Sequence, residues 1–182
     1  LTLAYILSYL DRYILVLLVE PIKADFALND TQIGLLMGVA FAVFYATMGI
    51  PLGWLADNMK RRTLVGIGML VWSFSTSVSG LAKSFTHLFI ARVAVGAGEA
   101  TLGPCAISLS TDLFPEGKRA RAIAIYTSAL SIASAIAYFG GGKLLAWANG
   151  LDTTGMPVFE GLKPWQIVFI IVGLPGILLS LL

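Results

Sequence analysis

One cysteine and one histidine are spread over 182 residues. Cys105 alone can make neither an intrachain disulfide nor a thiolate metal site, and His87 alone gives no imidazole cluster. No metal centre is therefore expected. Charge is equally scarce. Asp, Glu, Lys and Arg make up 12% of the chain, where a soluble domain carries roughly 25%. So little charge cannot cover a water-facing surface. The net charge of +2 is too small to suggest a nucleic-acid partner, and the basic residues gather in loops, not in a binding patch. No Walker loop is present, and no Gly-x-Gly-x-x-Gly follows a strand-like run. Gly96-x-Gly98 lies inside an apolar run, where close packing accounts for it, and Gly140-Gly141-Gly142 ends an apolar pattern without opening a second one. No nucleophile–base pair can be assembled, so an enzyme is the poorest reading.

What is present is hydrocarbon. Hydrophobic residues make up 58% of the chain, and the mean hydropathy is +0.87. The implied solvent is the lipid bilayer. A transmembrane helix needs about 20 mostly apolar residues, and six segments qualify: 1–22, 31–56, 63–82, 86–114, 118–148 and 164–182. The first ends near Pro21. Asn29-Asp30-Thr31 and Ser84 offer N-caps to the second and fourth, and Pro164 suits the first turn of the sixth. The long connection over 149–163 reads as irregular. The chain opens and closes inside apolar patterns, without an initiator Met or signal-peptide features, and is expected to be a piece of a longer protein.

Loop charges predict orientation. Lys60, Arg61 and Arg62 follow the second segment, and Lys118, Arg119 and Arg121 follow the fourth. The other loops carry Lys23, Lys83 and Lys163, two of them diluted by acids. Clustered Lys and Arg stay in the cytoplasm, so the N-terminus and the loops after helices two and four are expected there, in a multi-pass protein of the cell (inner) membrane. Gly34 and Gly38, and Gly49 and Gly53, are four apart and predict closely packed helix faces. Pro51, Pro104 and Pro175 predict bends.

Asp11, Arg12, Arg92 and Glu99 fall within the spans. A charge in hydrocarbon costs at least about 2.5 kcal/mol on insertion scales, so each should face a protein interior or a cavity. At 1.5 Å per residue, Asp11 lies roughly 15 Å from the start of helix one and Glu99 roughly 18 Å into helix four. Both depths fall near the middle of a core about 30 Å thick. Arg92 and Glu99 are two turns apart on one face. If helices one and four face each other, two acids and two bases line one polar seam. Desolvation favours the neutral form of a carboxyl group, which suits Glu99, set among Gly96, Ala97, Gly98, Ala100 and Gly103, to proton coupling. A purely structural ion-pair network is the bland alternative. Phe41, Phe44, Tyr45 and Met48 on helix two, with Tyr126 and Tyr138 on helix five, are expected mostly to pack or to face lipid, with a subset walling an amphipathic cavity.

The run from Gly53 to Arg62, Gly-Trp-Leu-Ala-Asp-Asn-Met-Lys-Arg-Arg, resembles the loop between helices two and three of the major facilitator superfamily of secondary transporters. With the stretch Arg92 to Ala100 and the basic loop Pro115 to Arg121, the likeness covers all six segments. It implies an all-α membrane fold, residues 1–182 being the N-terminal six-helix domain of a twelve-helix protein, built as two inverted three-helix repeats, with the second half as partner. Within the superfamily, Leu7 to Tyr13 and Gly96 to Ala100 look most like the Spinster family, whose members carry lysolipids and sphingolipid phosphates, some driven by protons. The resemblance makes Asp11 and Glu99 proton-coupling acids, and Arg12 and Arg92 their partners or anion binders; of the aromatics spaced around these charges, Phe41 and Tyr45 are expected beside the substrate. It gives Gly53, Asp57, Arg61, Arg62, Arg119 and Arg121 to a cytoplasmic gate, and Gly96, Gly98 and Pro104 to packing and hinging.

Two positions depart from the loop signature. Asn58 stands where Arg or Lys is usual, and Lys60 where Gly is usual. The Gly-Pro-x-x-Gly-Gly antiporter signature of helix five is absent, which weighs against a drug/proton antiporter. The expectation is thus an alternating-access carrier of an amphipathic organic anion, with the proton as coupling ion and no other cofactor. The rivals are a carrier of small organic anions such as sugar acids, and a non-transporting membrane receptor or scaffold.

Overall fold

A computed structural model of the chain describes residues 1–151 and 159–181. Much of the expected irregular loop, and the last residue of the sixth segment, lie outside them. Six helical runs follow one another: α1 Thr2–Phe26, α2 Asp30–Asn58, α3 Arg61–Ser79, α4 Phe85–Leu113, α5 Glu116–Asn149 and α6 Pro164–Ser180. No strand occurs among the described residues. Four of the runs, α1, α2, α4 and α5, are long and apolar enough to cross a membrane. α6 falls short at 17 residues. α3 has 19 residues but spends many of them on hydroxyls, with Ser73, Ser75, Thr76 and Ser79 all buried.

The helix starts follow their caps. The Asn29 side chain accepts from Gln32 N at 2.8 Å and Gln32 Oε1 accepts from Asn29 N at 3.0 Å, a reciprocal pair that satisfies two otherwise orphaned donors. Ser84 Oγ accepts from His87 N, and Pro164 takes the first turn of α6. The expected end of the first helix is four residues early. Pro21 removes one backbone hydrogen bond without stopping α1, which closes only at Ala27 in the left-handed region, φ 51°.

α4 is interrupted at residues 100–101, directly after Glu99. Pro104 explains the position. It has no N–H to offer the Ala100 carbonyl, and Thr101 Oγ1 turns back onto the Gly98 carbonyl at 2.9 Å. α2 and α5 stay continuous but each passes through a π-helical turn, Leu35–Val39 and Ile136–Gly141.

The packing has the symmetry of an inverted repeat. α1 lies along α5 as α4 lies along α2; α3 packs on α4 as α6 packs on α1; and α3 and α6 pack on each other. Exchanging the first three helices for the last three maps this pattern onto itself. Glycines admit close crossings: a Cβ on Gly80 would run into the Gln166 carbonyl oxygen, and one on Gly173 would sit 2.6 Å from the Ser73 carbonyl oxygen. A Cβ on Gly96 would sit 2.8 Å from the Phe41 carbonyl oxygen, and one on Gly98 would sit 2.8 Å from the Trp72 amide nitrogen. The faces expected at Gly34, Gly38, Gly49 and Gly53 do not form in this chain, where a Cβ at any of them would meet nothing within 4 Å. Those glycines ride on α2, which presents Val39, Val43, Ile50 and Trp54 outward. The largest buried apolar cluster among the described residues lies towards the end opposite the basic loops, where Ile14, Leu18 and Ile22 of α1 meet Ile167 and Phe169 of α6.

Candidate functional site

α1 and α4 meet through side chains at mid-bundle, which joins the two ends of the expected polar seam. Ser8 and Arg12 are one turn apart on α1, so they share a face. Both reach Glu99. Ser8 Oγ donates to Glu99 Oε2 at 2.7 Å, Arg12 Nε donates to the same oxygen at 2.8 Å, and Arg12 Nη2 completes the ion pair. Glu99 is 1% exposed, while the Arg12 side chain keeps 29% exposure. The pair therefore joins a buried anion to a cation on a cavity wall.

Asp11 turns the other way. One residue further round α1, it is buried and accepts from Thr76 Oγ1 of α3 at 2.9 Å. Arg92 is 2% exposed, with its guanidinium carbon 5.0 Å from the centre of the Phe169 ring of α6. Its Nε and Nη2 have no hydrogen-bond partner among the described residues, nor do Glu99 Oε1 and Trp72 Nε1. All four predicted charges thus reach one region. Arg12, and not Arg92, forms the ion pair.

The cavity side of Arg12 is aromatic. Its guanidinium carbon lies 4.7 Å from the ring centre of Tyr9, 4.3 Å from that of Phe41 and 5.4 Å from that of Tyr45. Cations over ring faces are attracted by the ring quadrupole, by about 0.5 to 2 kcal/mol depending on exposure. Phe41 and Tyr45, expected beside the substrate, stack on each other with centres 5.3 Å apart. The array extends along α1. Tyr5, Tyr9 and Tyr13 recur every fourth residue, Tyr126 of α5 stacks on Tyr5, and Tyr138 of α5 lies beside Tyr13. All six tyrosines of the chain belong to this wall. The four-residue spacing on α1 was a signal open to sequence reading. Ser8, Thr76 and Phe169 were not, because nothing in a lone serine, a hydroxyl-rich helix or an apolar run says which charge it will meet.

At the basic end, Arg61 forms its ion pair with Asp112 of α4, a residue absent from the expected gate. Asp57 is exposed on the last turn of α2 near Gly53. Arg119 Nε donates to the Phe114 carbonyl at 3.1 Å and lies 3.9 Å from Glu116, whereas Arg121 and Arg62 line separate grooves. The predicted gate residues share one end of the bundle without forming one cluster. At the opposite end, Asp25 accepts from Trp165 Nε1 at 3.0 Å and from Lys163, tying α1 to α6. Counting loop charges registers Lys163 only as a base in an outer loop and gives no sign of this tie.

Comparison with known proteins agrees with this architecture. The sequence profile of the Major Facilitator Superfamily matches residues 1–182. An MFS-type efflux pump of Mycolicibacterium smegmatis is 33% identical over 96% of the chain and 37% of its own length. A probable L-galactonate transporter of Escherichia coli strain K12 is 30% identical over 98% of the chain and 36% of its own length. Among solved structures, a bacterial homologue of the human lysosomal transporter Spinster, inward-facing and unoccupied, superposes with a TM-score of 0.88 at 39% identity, over 99% of the chain and 40% of that protein. The chain spans well under half the length of these relatives, which are transporters and not enzymes. A bundle with inverted-repeat packing, a profile match from end to end and close likeness to a transporter structure place this chain in the Major Facilitator Superfamily.

Proposed function

We propose that this chain is one half of an alternating-access secondary transporter that moves an amphipathic organic anion, such as a lysophospholipid or a sphingolipid phosphate, coupled to protons. The observation that carries the reading is Arg12, a cation on the cavity wall with a buried acid behind it and aromatic faces around it. Such a surface offers an anionic headgroup one strong partner and an attached chain a continuous apolar wall. The likeness to a bacterial homologue of the lysosomal transporter Spinster supports the transporter part of this reading, and the cargo rests on the Arg12 surface.

In this mechanism Glu99 and the substrate compete for Arg12. A proton on Glu99 removes the charge that holds the guanidinium and releases it to a headgroup, so proton and anion load together. The bilayer is the solvent, with the N-terminus and the two basic loops on the cytoplasmic side. Arg61, Asp112 and Asp57 hold the cytoplasmic end against a second six-helix half. A proton shifts the populations of the two states only by the difference in its affinity for them.

A second reading, a carrier of small organic acids, is favoured by the likeness to a probable L-galactonate transporter. Flux in proteoliposomes of the full-length protein under an imposed pH gradient separates the two, with a labelled lysophospholipid and a labelled sugar acid offered side by side. Lysolipid flux driven by the gradient, and lost in a folded Glu99→Gln variant, is the expected result. Flux of the sugar acid alone would move the cargo to the second reading. Equal, pH-indifferent flux in both proteins would leave Glu99 a structural residue.

A further inference from the structure

A groove of about 610 Å³ opens at the basic end between the start of α1, the end of α4 and the start of α5. Lys118, Arg121, Ala122 and Ile125 line it from α5, at the spacing of one helical stripe, with Ser110 and Phe114 opposite. Two cations sit beside apolar walls, and no acidic residue among the described residues lines the groove.

Its inner end is Tyr126, which connects the groove to the mid-bundle site through an unbroken series of contacts. Tyr126 stacks on Tyr5 with ring centres 4.2 Å apart and planes 11° apart. The Tyr5 hydroxyl lies 3.1 Å from that of Tyr9, and the Tyr9 ring faces Arg12. A groove with cations at one end and a stacked aromatic pair at the other is matched to a molecule with an anionic head and an apolar chain.

We propose that this groove is a second, cytoplasmic-end site for a single-chain anionic amphiphile, in which Lys118 and Arg121 hold the phosphate head, Phe114 and Ile125 cover the start of the chain, and the Tyr5–Tyr126 stack separates the groove from Arg12. The inference rests on the amphipathic-anion reading above and adds a staging site and a barrier to it. The pairing of charge with an apolar wall sets the occupant. A free phosphate uses only the cations, and a neutral lipid only the wall.

The test uses full-length protein in detergent, carrying Arg12→Gln so that the mid-bundle site is removed. Lysophosphatidic acid with a fluorescent acyl chain is titrated and read by anisotropy. The probe is expected to bind this background and to lose about tenfold in affinity, roughly 1.4 kcal/mol, when Lys118→Gln and Arg121→Gln are added. Ile125→Glu is a second variant that retains both cations, and so the charge signal for topology, and is expected to weaken binding as much. Unlabelled monoacylglycerol, inorganic phosphate and vesicles of diacyl phosphatidylglycerol are expected to compete poorly. Affinity unchanged in both variants, or equal displacement by phosphate or by the vesicles, would overturn the proposal. The titration needs no flux. A failure of lysolipid transport in proteoliposomes therefore overturns the cargo reading, and variant-insensitive binding overturns the groove.

Discussion

Arg12 and Arg92 are two guanidinium groups at mid-bundle held in opposite ways. Arg12 is part-exposed, donates twice to Glu99 and faces three aromatic rings. Arg92 is almost fully buried, stacks on one ring and has two N–H groups without a hydrogen-bond partner among the described residues. The difference follows from the neighbours each helix meets. α1 turns Arg12 towards the cavity wall and the break in α4, where a carboxylate waits. α4 turns Arg92 into the contact with α6, where Phe169 supplies a ring face and no oxygen. Partnered and part-solvated, Arg12 is placed to exchange one anion for another. Arg92 is placed to hold a positive charge near Asp11 and Glu99 without committing to either.

Removing Arg12 should break the comparison hardest. Arg12→Gln leaves Glu99 with Ser8 as its one direct donor among the described residues and removes a charged hydrogen-bond pair of about 3 kcal/mol. Gradient-driven flux is expected to fall on the order of a hundredfold, by the usual conversion of 1.4 kcal/mol per decade. Arg12→Lys, which keeps the charge but loses the planar fork, should fall between. Wild-type rates in Arg12→Gln would remove the site from transport altogether.

Arg92→Met sharpens the contrast. No direct hydrogen bond is lost, and the cost of burying a cation without hydrogen-bond partners is removed with the charge. The thermal midpoint is expected to stay level or rise, while flux falls about tenfold, roughly 1.4 kcal/mol, because Asp11 and Glu99 lose a nearby positive charge. A fall in the midpoint as large as that of Arg12→Gln, which breaks the ion pair with Glu99, would mean that Arg92 is paired after all.

The fold was legible wherever the chemistry was local. Apolar length gave six segments, Asn29, Ser84 and Pro164 marked starts, and Pro104 placed a bend within a few residues of the break in α4. The charges were legible because hydrocarbon makes them conspicuous. What stayed hidden was direction. Asp11 and Arg12 are adjacent in sequence, and a rotation of about 100° per residue sends one to Thr76 and the other to Glu99. No single helix records which neighbour lies on which side. The glycine pairs of α2 failed for the same reason. Their spacing states that something can approach closely, and in this chain the close crossings fall at other glycines, among them Gly96 and Gly98 of α4, Gly80 at the end of α3 and Gly173 of α6.

The smallest expected effects lie in the hydroxyls, and their order follows from the same asymmetry. Ser8 and Thr76 each donate one hydrogen bond to a buried acid, Ser8 to Glu99 and Thr76 to Asp11. Glu99 also holds Arg12, so Ser8→Ala leaves its Oε2 satisfied and should cost about 1 kcal/mol, the net value of an ordinary hydrogen bond. Thr76 is the one direct donor to Asp11 among the described residues. Thr76→Val therefore leaves a buried carboxyl group unsatisfied, a change that costs about 1 to 3 kcal/mol, and should lower the midpoint more than Ser8→Ala does. Thermal unfolding of the two variants in one detergent reads the difference directly. The reverse order would mean that Asp11 draws its support from elsewhere, with Arg92, a buried cation whose Nε and Nη2 have no hydrogen-bond partner among the described residues, as the residue to examine.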